Sequence, residues 1–380
     1  MKKILIVSTV SRQFYLFEQG NIEVLKSIGY EIHGAANFDD ANERLDALDI
    51  IRHPFGIQRS PFSLKNIIAY KELRDIMRTE KFDAIHCHSP MGGVLARLAA
   101  KSVGISPVIY TAHGFHFYKG SSVINWLLYY PVEKFLSKYT DVLITINQED
   151  YNIAQNFNTK KVIYVPGIGV DIDKFRGVVV DRDKKREELG IPIDAFVILS
   201  VGELNKNKNH EVIFKALAKI KVSNVFYVIC GRGDRLNYLR QLAKSLEIFD
   251  KVMFLGFRND VSEIYKIVDM FAFSSYREGL SVSLIEAMTS GLPVVCSKIR
   301  GNTDLIEHGK GGYLLELDDV EGFAASIEKI IDDAELLNMM GTHNVDEAKK
   351  YDKEAVKREM KKLYCDINNP PRKSEGSMIV

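Results

Sequence analysis

Short apolar runs alternate with segments of helical periodicity along the chain, a rhythm typical of βα units that build a parallel sheet. In the first half, the apolar runs predict strands at 3–8, 31–35, 83–87, 107–111, 141–146 and 161–165. The segments between them predict helices near 14–28, 64–79, 91–103, 123–138 and 148–156. The first half is therefore expected to form one doubly wound, Rossmann-like α/β domain.

The second half repeats this rhythm. Its apolar runs predict strands at 195–201, 225–230, 251–254, 269–273, 293–296 and 312–315. The segments between them predict helices near 208–221, 235–247, 260–266, 281–290 and 319–333. We therefore expect an α/β fold with two Rossmann-like domains. Because open parallel sheets bind ligands beyond the carboxyl ends of their strands, the two domains are expected to face a central ligand-binding cleft.

The domain limits follow from local composition. The segment 165–171, which contains proline and glycine, predicts a linker, so residues 1–168 form the N-terminal domain and 169–350 the C-terminal domain. The charged amphipathic segment 351–367 predicts a helix that returns to the N-terminal domain. Residues 368–380 begin with Asn-Asn-Pro-Pro and predict a disordered tail.

Composition narrows the function classes. The 380 residues are 46% hydrophobic and 27% charged, as in ordinary globular proteins of two domains. A net charge of +1 provides no chain-wide basic field, so no nucleic-acid partner is expected. The apolar run after Met1-Lys2-Lys3 is too short for a signal peptide, and no run approaches the roughly 18 apolar residues of a membrane span. A cytoplasmic protein is therefore expected.

One segment combines apolar, aromatic and basic residues in a way that suits a lipid surface. The stretch 123–130 is apolar and aromatic, and Lys119, Lys134 and Lys138 flank it. This composition favours peripheral contact with the inner face of an anionic membrane. A helix that packs on the protein's own core would show the same pattern, so both interpretations stay open.

The sequence contains no recognisable motif for a nucleotide cofactor or a metal. The first βα turn, 8–13, has no glycine, which argues against a dinucleotide site, and the chain has no P-loop motif. His86 and His88 would point to one face of a strand as a metal pair, but no further ligand has suitable spacing. Asp171-Ile172-Asp173 lies in the predicted linker and predicts a turn and a helix cap. We expect neither a metal nor a bound cofactor.

Two glutamates, Glu278 and Glu286, flank a predicted loop-to-helix junction. The start of a helix presents free backbone N–H groups and a positive dipole end, which suit a phosphate. Carboxylates beside it accept hydrogen bonds from ribose and sugar hydroxyls. The pair therefore favours a sugar-nucleotide site. The structural alternative is that Glu278 stabilises the helix start by its charge and that Glu286 is solvated.

Several motifs together match a known family. They are the glutamate pair, Val201-Gly202-Glu203-Leu204 with Lys208-Asn209-His210, the linker segment 166–171 with Phe175, Gly256-Phe257-Arg258, and the N-terminal segments 86–90, 110–117 and 145–150. On these residues the chain resembles, over nearly its whole length, a family-4 retaining glycosyltransferase of the two-domain GT-B architecture. Its first half is similar to bacterial transferases of capsule and exopolysaccharide assembly.

The resemblance implies sugar transfer from a nucleotide donor, a UDP-sugar, onto a lipid-diphosphate-linked saccharide, without a metal. It assigns the diphosphate to the Lys208 cation, the transferred sugar to Glu278 and the ribose to Glu286. The implied donor-binding residues are Lys208, Gly231, Gly256, Phe257, Arg258, Glu278, Gly279, Leu280, Ser281 and Glu286. Among them, 256–258 would flank the uracil, and the amides of 279–281 would hold the diphosphate.

The resemblance also implies residues for the acceptor and the reaction. Acceptor binding is expected at His86, His88, His113 and His116, and catalytic roles at His113, Lys208 and Glu278. An imidazole at position 113 would orient the acceptor or share charge with the departing phosphate. The alternatives are a His113 that caps a turn and a Lys208 that is exposed in a first helical turn. No residue is identified as a nucleophile.

The chain departs from the family pattern at Glu203, where an arginine that contacts phosphate is usual. A carboxylate cannot replace that contact, so either Lys206 or Arg232 supplies the charge, or the diphosphate is held differently. Three other function classes stay open: a GT-B sugar-nucleotide epimerase, a glycogen-phosphorylase-like enzyme, and an inactive paralogue that serves as a binding scaffold. The sequence predicts neither the donor sugar nor the oligomeric state.

Overall fold

The computed structural model describes residues 1–88 and 90–368. Two compact units divide the chain. The first comprises Met1–Ile168 together with the chain from Lys353 onward, and the second comprises Gly169–Asp352. Residues 369–380 lie outside the described part of the chain, and they include nearly all of the predicted disordered tail.

The first unit is built on a seven-stranded sheet with the order β3-β2-β1-β4-β5-β6-β7. Its strands, all paired in parallel, are β1 Lys2–Val10, β2 Tyr30–Asn37, β3 Ile51–Pro54, β4 Ala84–His88, β5 Val108–Ala112, β6 Val142–Thr145 and β7 Lys161–Tyr164. Because the strand order reverses between β1 and β4, the topological switch point of the sheet lies at their carboxyl ends.

Helices cover both faces of this sheet, as a parallel sheet requires. They are α1 Arg12–Phe17, α2 Gln19–Ser27, α3 Glu43–Asp46, α4 Lys65–Glu80, α5 Met91–Val103, α6 Val123–Leu136 and α7 Gln148–Ala154. Alternate residues of β1 enter two different apolar clusters: Leu5 and Val7 join one, and Ile4 and Ile6 join the other. The central strand is therefore buried on both faces, which explains its continuous apolar sequence.

The second unit contains a six-stranded parallel sheet with the order β10-β9-β8-β11-β12-β13. Its strands are β8 Phe196–Val201, β9 Val225–Cys230, β10 Val252–Gly256, β11 Met270–Phe273, β12 Val294–Ser297 and β13 Gly312–Leu315. The switch point here lies between β8 and β11. Its helices are α8 Ile172–Arg176, α9 Arg182–Leu189, α10 His210–Leu217, α11 Leu236–Ser245, α12 Val261–Ile267, α13 Val282–Thr289, α14 Asn302–Leu305, α15 Val320–Ile331 and α16 Ala334–Ala348.

The last described helix, α17 Lys353–Asn368, belongs to the first unit. It places four side chains in the same apolar cluster as Ile4 and Ile6 of β1: Val356, Met360, Leu363 and Tyr364. Tyr364 is buried there and reaches a histidine of β4. The first unit is therefore completed by a segment from the far end of the sequence.

Both sheets confirm the predicted α/β class, and every predicted strand is present. The single helix predicted at 14–28 is wrong, because the chain breaks at Glu18 into α1 and α2. Strand β3 was not predicted, since an edge strand that ends in proline and is mostly exposed has no apolar run. The cap predicted at Asp171 is confirmed, because its carboxylate accepts the Lys174 amide at 2.9 Å.

Candidate functional site

An ion pair lies at the switch point of the second sheet. The chain leaving β8 reaches Lys208, and the chain leaving β11 reaches Glu278, so both follow strands whose carboxyl ends meet. The Lys208 Nζ lies 2.8 Å from Glu278 Oε1, and the two side chains are only 18% and 16% exposed. The ammonium also lies 4.5 Å from the centroid of the Phe273 ring. The structure thus brings together the predicted phosphate cation and the predicted sugar carboxylate.

The backbone around Lys208 is held by neighbouring residues. The Asn205 side chain accepts a hydrogen bond from the Lys208 amide at 3.1 Å. The Ser274 hydroxyl, just beyond β11, donates to the carbonyls of Lys208 and Asn209 at 3.1 and 2.8 Å. Asn209 adopts a left-handed conformation with φ of 46°. Lys208 is therefore fixed against the sheet and is not an exposed first-turn lysine.

Two glycines after β9 permit close packing of backbone segments. A Cβ atom at Gly231 would lie 1.7 Å from the Gly202 carbonyl oxygen, and one at Gly233 would lie 2.2 Å from the Leu204 carbonyl oxygen. The Gly231 amide donates to the Gly256 carbonyl at 2.7 Å. The loops after three adjacent strands therefore touch each other at Gly231, which gives this residue a packing role in addition to its predicted donor contact.

The segment predicted to flank uracil is anchored by charge. Arg258 donates to both carboxylate oxygens of Asp260, at 2.8 and 2.5 Å, and Lys185 lies 2.9 Å from the same carboxylate. These hydrogen bonds, the Arg258 bond above all, hold the pKa of Asp260 well below its usual range. Phe257 is 58% exposed on the turn between Gly256 and Arg258. The turn thus presents an aromatic face on a rigid base.

The helix α13 carries the second glutamate. Ser281 caps its start by accepting the Leu284 amide at 3.3 Å, and the amides of Gly279, Leu280 and Ser281 donate to none of the described residues. Glu286 accepts from the Tyr265 hydroxyl at 3.2 Å. Burial raises the pKa of Glu286 to about 7. The loop therefore offers unused donors, and the helix offers a desolvated carboxyl group.

Arg300 supports the glutamate loop and was not among the residues that the sequence predicts. It is buried, and its Nε donates to the Glu278 carbonyl at 3.1 Å. The next residue, Gly301, has φ of 82°, and a Cβ atom there would lie 2.3 Å from the Gly279 carbonyl oxygen. The chain after β12 thus packs directly on the loop. The sequence signal for this role is an arginine followed by a glycine, the residue type that tolerates a positive φ and a close backbone approach.

The predicted replacements for the missing phosphate arginine lie on the surface. Glu203 is exposed, and its carboxylate accepts the Asn205 side-chain amide at 2.9 Å. Lys206 and Arg232 are exposed as well. Neither Lys206 nor Arg232 joins the ion pair between Lys208 and Glu278. Arg300, in contrast, contacts the backbone of Glu278.

Three of the four predicted acceptor histidines form one cluster in the first unit. His86 and His88 end β4, and their ring centroids are 4.4 Å apart. His88 Nδ1 lies 3.0 Å from His113 Nε2, where the chain leaves β5. The His86 nitrogens bond the hydroxyls of Tyr364 and Thr111 at 2.9 and 2.8 Å. Burial lowers the pKa of His86 to about 3 and that of His113 to about 4, so both rings are neutral near pH 7.

Glu18 joins this cluster although the sequence did not point to it. Its Oε2 lies 3.3 Å from His88 Nε2, and its Oε1 accepts the Gln13 amide at 3.3 Å. Gln13 also contacts His113 Nε2 at 3.0 Å. Burial raises the pKa of Glu18 to about 8. The available signal was its place in the apolar stripe Phe14, Glu18, Ile22, where a charged residue needs a reason.

The cluster supplies three potential metal ligands, since ligand atoms of Glu18, His86 and His88 lie within 4.8 Å of one another. Both nitrogens of His86 are already bonded to hydroxyls, so a metal would have to displace one of these bonds. The group therefore fits a hydrogen-bonded network better than a metal site.

His113 also faces a small pocket of the first unit. The lining includes Glu18, Asn21, Thr111, His113 and Lys357. His88 and His86 are fully buried; His88 contacts the His113 ring, and His86 packs against His88. His116 lies apart from the cluster, with its ring 4.7 Å from that of Tyr129. Of the four histidines, His113 is the one that combines the cluster with an open pocket.

Comparison with known proteins gives a consistent result. The profile of the family described as glycosyl transferases group 1 matches residues 181–345, and that of glycosyl transferase 4-like matches 3–147. The chain is 37% identical, over 96% of both chains, to EpsD of Bacillus subtilis (strain 168), which is provisionally named a glycosyltransferase. It is 32% identical, over 74% of this chain and 76% of the other, to the Escherichia coli UDP-Gal:alpha-D-GlcNAc-diphosphoundecaprenol alpha-1,3-galactosyltransferase.

Solved structures show the same fold. Anabaena HepE in complex with UDP and glucose has a TM-score of 0.79 at 21% identity, over 96% of this chain and 100% of that one. WaaG, a glycosyltransferase involved in lipopolysaccharide biosynthesis, has a TM-score of 0.74 at 16% identity, over 95% and 99%.

Proposed function

Because this chain belongs to the group 1 family of glycosyltransferases and has the two-domain GT-B architecture, we propose that it moves a sugar from a UDP-sugar to a lipid-linked saccharide. The reaction is a hexosyl transfer that retains the anomeric configuration, needs no metal, and serves capsule or exopolysaccharide assembly. Support comes from relatives: one is named for a UDP-sugar donor and a diphosphoundecaprenol acceptor, and HepE was solved with UDP.

The Lys208–Glu278 ion pair carries the proposal. Its ammonium suits the anionic diphosphate of a donor, its carboxylate suits the hydroxyls of the sugar, and both are held at the switch point of the sheet. When the donor binds, the ammonium exchanges its carboxylate partner for the diphosphate, and Glu278 accepts hydrogen bonds from hydroxyls of the transferred sugar. The pair keeps each group oriented until then, which lowers the cost of organising the site.

The departing nucleotide is stabilised by groups that are already in place. The amides of Gly279, Leu280 and Ser281 donate to the diphosphate at the positive end of α13, and Lys208 supplies the positive charge. The acceptor hydroxyl oxygen bonds to the anomeric carbon as its bond to the UDP phosphate oxygen breaks. The hydroxyl proton passes to that phosphate oxygen on the same face, as the resemblance implies, so no enzyme nucleophile is needed.

The remaining donor contacts fix the nucleoside. Glu286 accepts the ribose hydroxyls beside Tyr265, and its near-neutral pKa of about 7 reflects the burial that the ribose completes. The exposed Phe257 ring and the turn around it flank the uracil. The acceptor half belongs to the first unit, where His113 orients the attacking hydroxyl and its histidine neighbours hold its ring.

The proposal is tested with purified protein, radiolabelled UDP-glucose, UDP-galactose and UDP-N-acetylglucosamine, and undecaprenyl-diphosphate-linked N-acetylglucosamine, with EDTA present throughout. We expect one donor to place its label in the lipid fraction. Donor turnover without acceptor, followed by NMR, would instead identify an epimerase. Donor binding without transfer to this acceptor or to lipids from a polysaccharide-producing host would identify a binding scaffold.

We also propose that the protein works in the cytoplasm on the inner face of the membrane. Within the described residues, no helix is long and apolar enough to cross a bilayer. The aromatic residues Trp126, Tyr129 and Tyr130, at which membrane contact was predicted, are half-buried and pack on the core. The large exposed hydrophobic side chains of α6 are instead aliphatic or phenyl groups: Val123, Ile124, Leu127, Leu128, Val132 and Phe135.

Membrane contact is therefore expected to depend on the exposed face of α6. Replacing Ile124 and Leu127 together with serine should lower the partition coefficient into anionic phosphatidylglycerol vesicles about tenfold or more, because two large apolar side chains no longer enter the lipid. Co-sedimentation measures this. Ile193→Ser, an equally polar change at an exposed site of the second unit, serves as the control. Unchanged partitioning of the double variant would rule out this face.

A further inference from the structure

The first unit contains a second cavity, and His116 is the one predicted acceptor residue that lines it. Its volume is about 470 Å³, within the range of ligand pockets. Most of its lining is apolar or aromatic: Pro61, Phe62, Met91, Val94, Phe115, Phe117, Leu128 and Val132. A cavity with such walls favours a hydrocarbon ligand over a sugar, which would need several hydrogen-bonding groups.

The cavity opens onto an exposed apolar surface. Phe62, Leu128 and Val132 line the cavity and are also exposed, so they mark its mouth. On α6, Ile124 and Phe135 continue the row of Leu128 and Val132 at helical spacing, and both are exposed. A hydrocarbon chain could therefore pass from a bilayer along α6 into the cavity without crossing polar surface.

One loop connects this cavity with the reacting histidine. Gly114, Phe115 and His116 line it, and the residue before them is His113, which lines the small pocket that also contains Glu18 and Lys357. The backbone spacing of about 3.8 Å per residue keeps the two cavities within one or two residues of each other along this loop. A lipid-linked saccharide would therefore place its hydrocarbon beside Phe115 and its saccharide towards His113.

The charges of the cavity suit an anionic head at the mouth. Arg59 lines it, is exposed, and forms no ion pair with any residue of the described chain. The carboxylate of Glu133 also reaches the lining, but Arg97 pairs with it at 2.8 Å and the Tyr110 hydroxyl donates to it at 2.9 Å. That carboxylate is therefore compensated inside the protein, and the net charge at the mouth is positive.

We propose that this cavity binds the isoprene units of the acceptor that are nearest to its diphosphate. This inference rests on the proposed function, because it assigns a place to the polyprenyl part of the lipid-linked acceptor. The remainder of the chain continues along α6 into the bilayer, and the diphosphate lies near Arg59. Recognition of the tail would then set the position of the saccharide relative to His113.

The fluorescence of a tryptophan next to this cavity can be used to measure ligand binding. Trp126 is the single tryptophan, and its ring centroid lies 5.4 Å from that of Phe117 in the cavity wall. Farnesyl diphosphate, added to the intact protein, should change the Trp126 fluorescence in a saturable way. Geranyl diphosphate, one isoprene shorter, should bind at least tenfold more weakly, and inorganic diphosphate should cause no change, because burial of the hydrocarbon supplies the affinity.

Two cavity-filling variants test the assignment. Val94→Phe and Val132→Phe should each weaken farnesyl diphosphate binding about tenfold, whereas Val123→Phe, the same change at an exposed position of α6 outside the cavity, should not. Equal affinity for geranyl, farnesyl and inorganic diphosphate would overturn the proposal, as would filling variants that bind like the wild type. No donor is present in this titration, so failure of sugar transfer would leave its result intact.

Discussion

Replacing Lys208 with alanine is expected to lower kcat/KM for sugar transfer by about 10²–10³ while the protein stays folded. The ammonium is the fixed positive charge beside the proposed diphosphate, and removal of one group that stabilises developing negative charge typically costs this factor. The side chain is largely sheltered, so little water can replace it. Steady-state kinetics with the labelled donor, together with calorimetric titration of UDP, measure the effect.

The matched control is Lys215→Ala, because Lys215 is an exposed lysine of the following helix. We expect it to transfer sugar at the wild-type rate. Wild-type turnover by Lys208→Ala would remove Lys208 from the mechanism. An equal loss in both variants would show that overall charge, and not the Lys208 position, is responsible.

A loss of activity in Lys208→Ala has a second possible cause, the loss of the ion-pair partner of Glu278, and a double variant tests it. In Lys208→Ala, Glu278 keeps a sheltered charge without its partner, which by itself could disturb the loop. The variant Lys208→Ala/Glu278→Gln removes that charge. If the loop disturbance alone caused the loss, the double variant would be as active as Glu278→Gln alone, because no unpaired charge is left in either; we expect it to fall well below Glu278→Gln.

The fold was largely predictable because parallel strands that are buried on both faces have continuous apolar sequences. Helix α16 was missed for a physical reason. Gly341 and Asn344 weaken its helical pattern, yet both are required by packing: a Cβ atom at Gly341 would lie 2.2 Å from the Gly291 carbonyl, and Asn344 donates to the Leu292 and Gly311 carbonyls at 2.8 and 2.7 Å. Tertiary contacts there override local propensity.

The candidate site was predictable where its residues end a strand or lie in the segment that follows one. Lys208, Glu278, His88 and His113 all leave the carboxyl ends of strands near a switch point, and the topology brings each pair together. Glu18 could not be placed in this way. It lies at a break between two helices, and only the folded structure shows that the break turns its carboxyl group inward against His88.

The structure changes the interpretation of Glu203, the position at which the family usually has an arginine. An arginine was expected there for the diphosphate, and the exposed Lys206 and Arg232 were its predicted replacements. Arg300, which follows β12 and is far from Glu203 in the sequence, is buried and donates to the Glu278 carbonyl at 3.1 Å. The order of the strands in the sheet brings Arg300 beside Glu278, so the spacing of motifs along the chain could not predict this contact.

His113→Ala is expected to lower kcat for transfer by about 10²–10⁴ and to leave the affinity for UDP unchanged. The factor is typical of a positioned imidazole that orients or exchanges a proton with a reacting group. UDP affinity should be retained because the proposed donor residues all belong to the second unit. Single-turnover transfer and UDP calorimetry separate the two effects.

The pH profile distinguishes a neutral from a charged role for this histidine. Because burial lowers the pKa of His113 to about 4, its ring stays neutral from pH 9 down to pH 6 and gains a proton only as the pH falls towards 4. Wild-type kcat should therefore show no step near pH 6.5 from this residue. His53→Gln, a change at a histidine of β3 whose ring lies against His33 with nitrogens 2.8 Å apart, should transfer like the wild type. Full turnover by His113→Ala would exclude the role, and a step near pH 6.5 that disappears in His113→Ala would instead assign the work to an imidazolium.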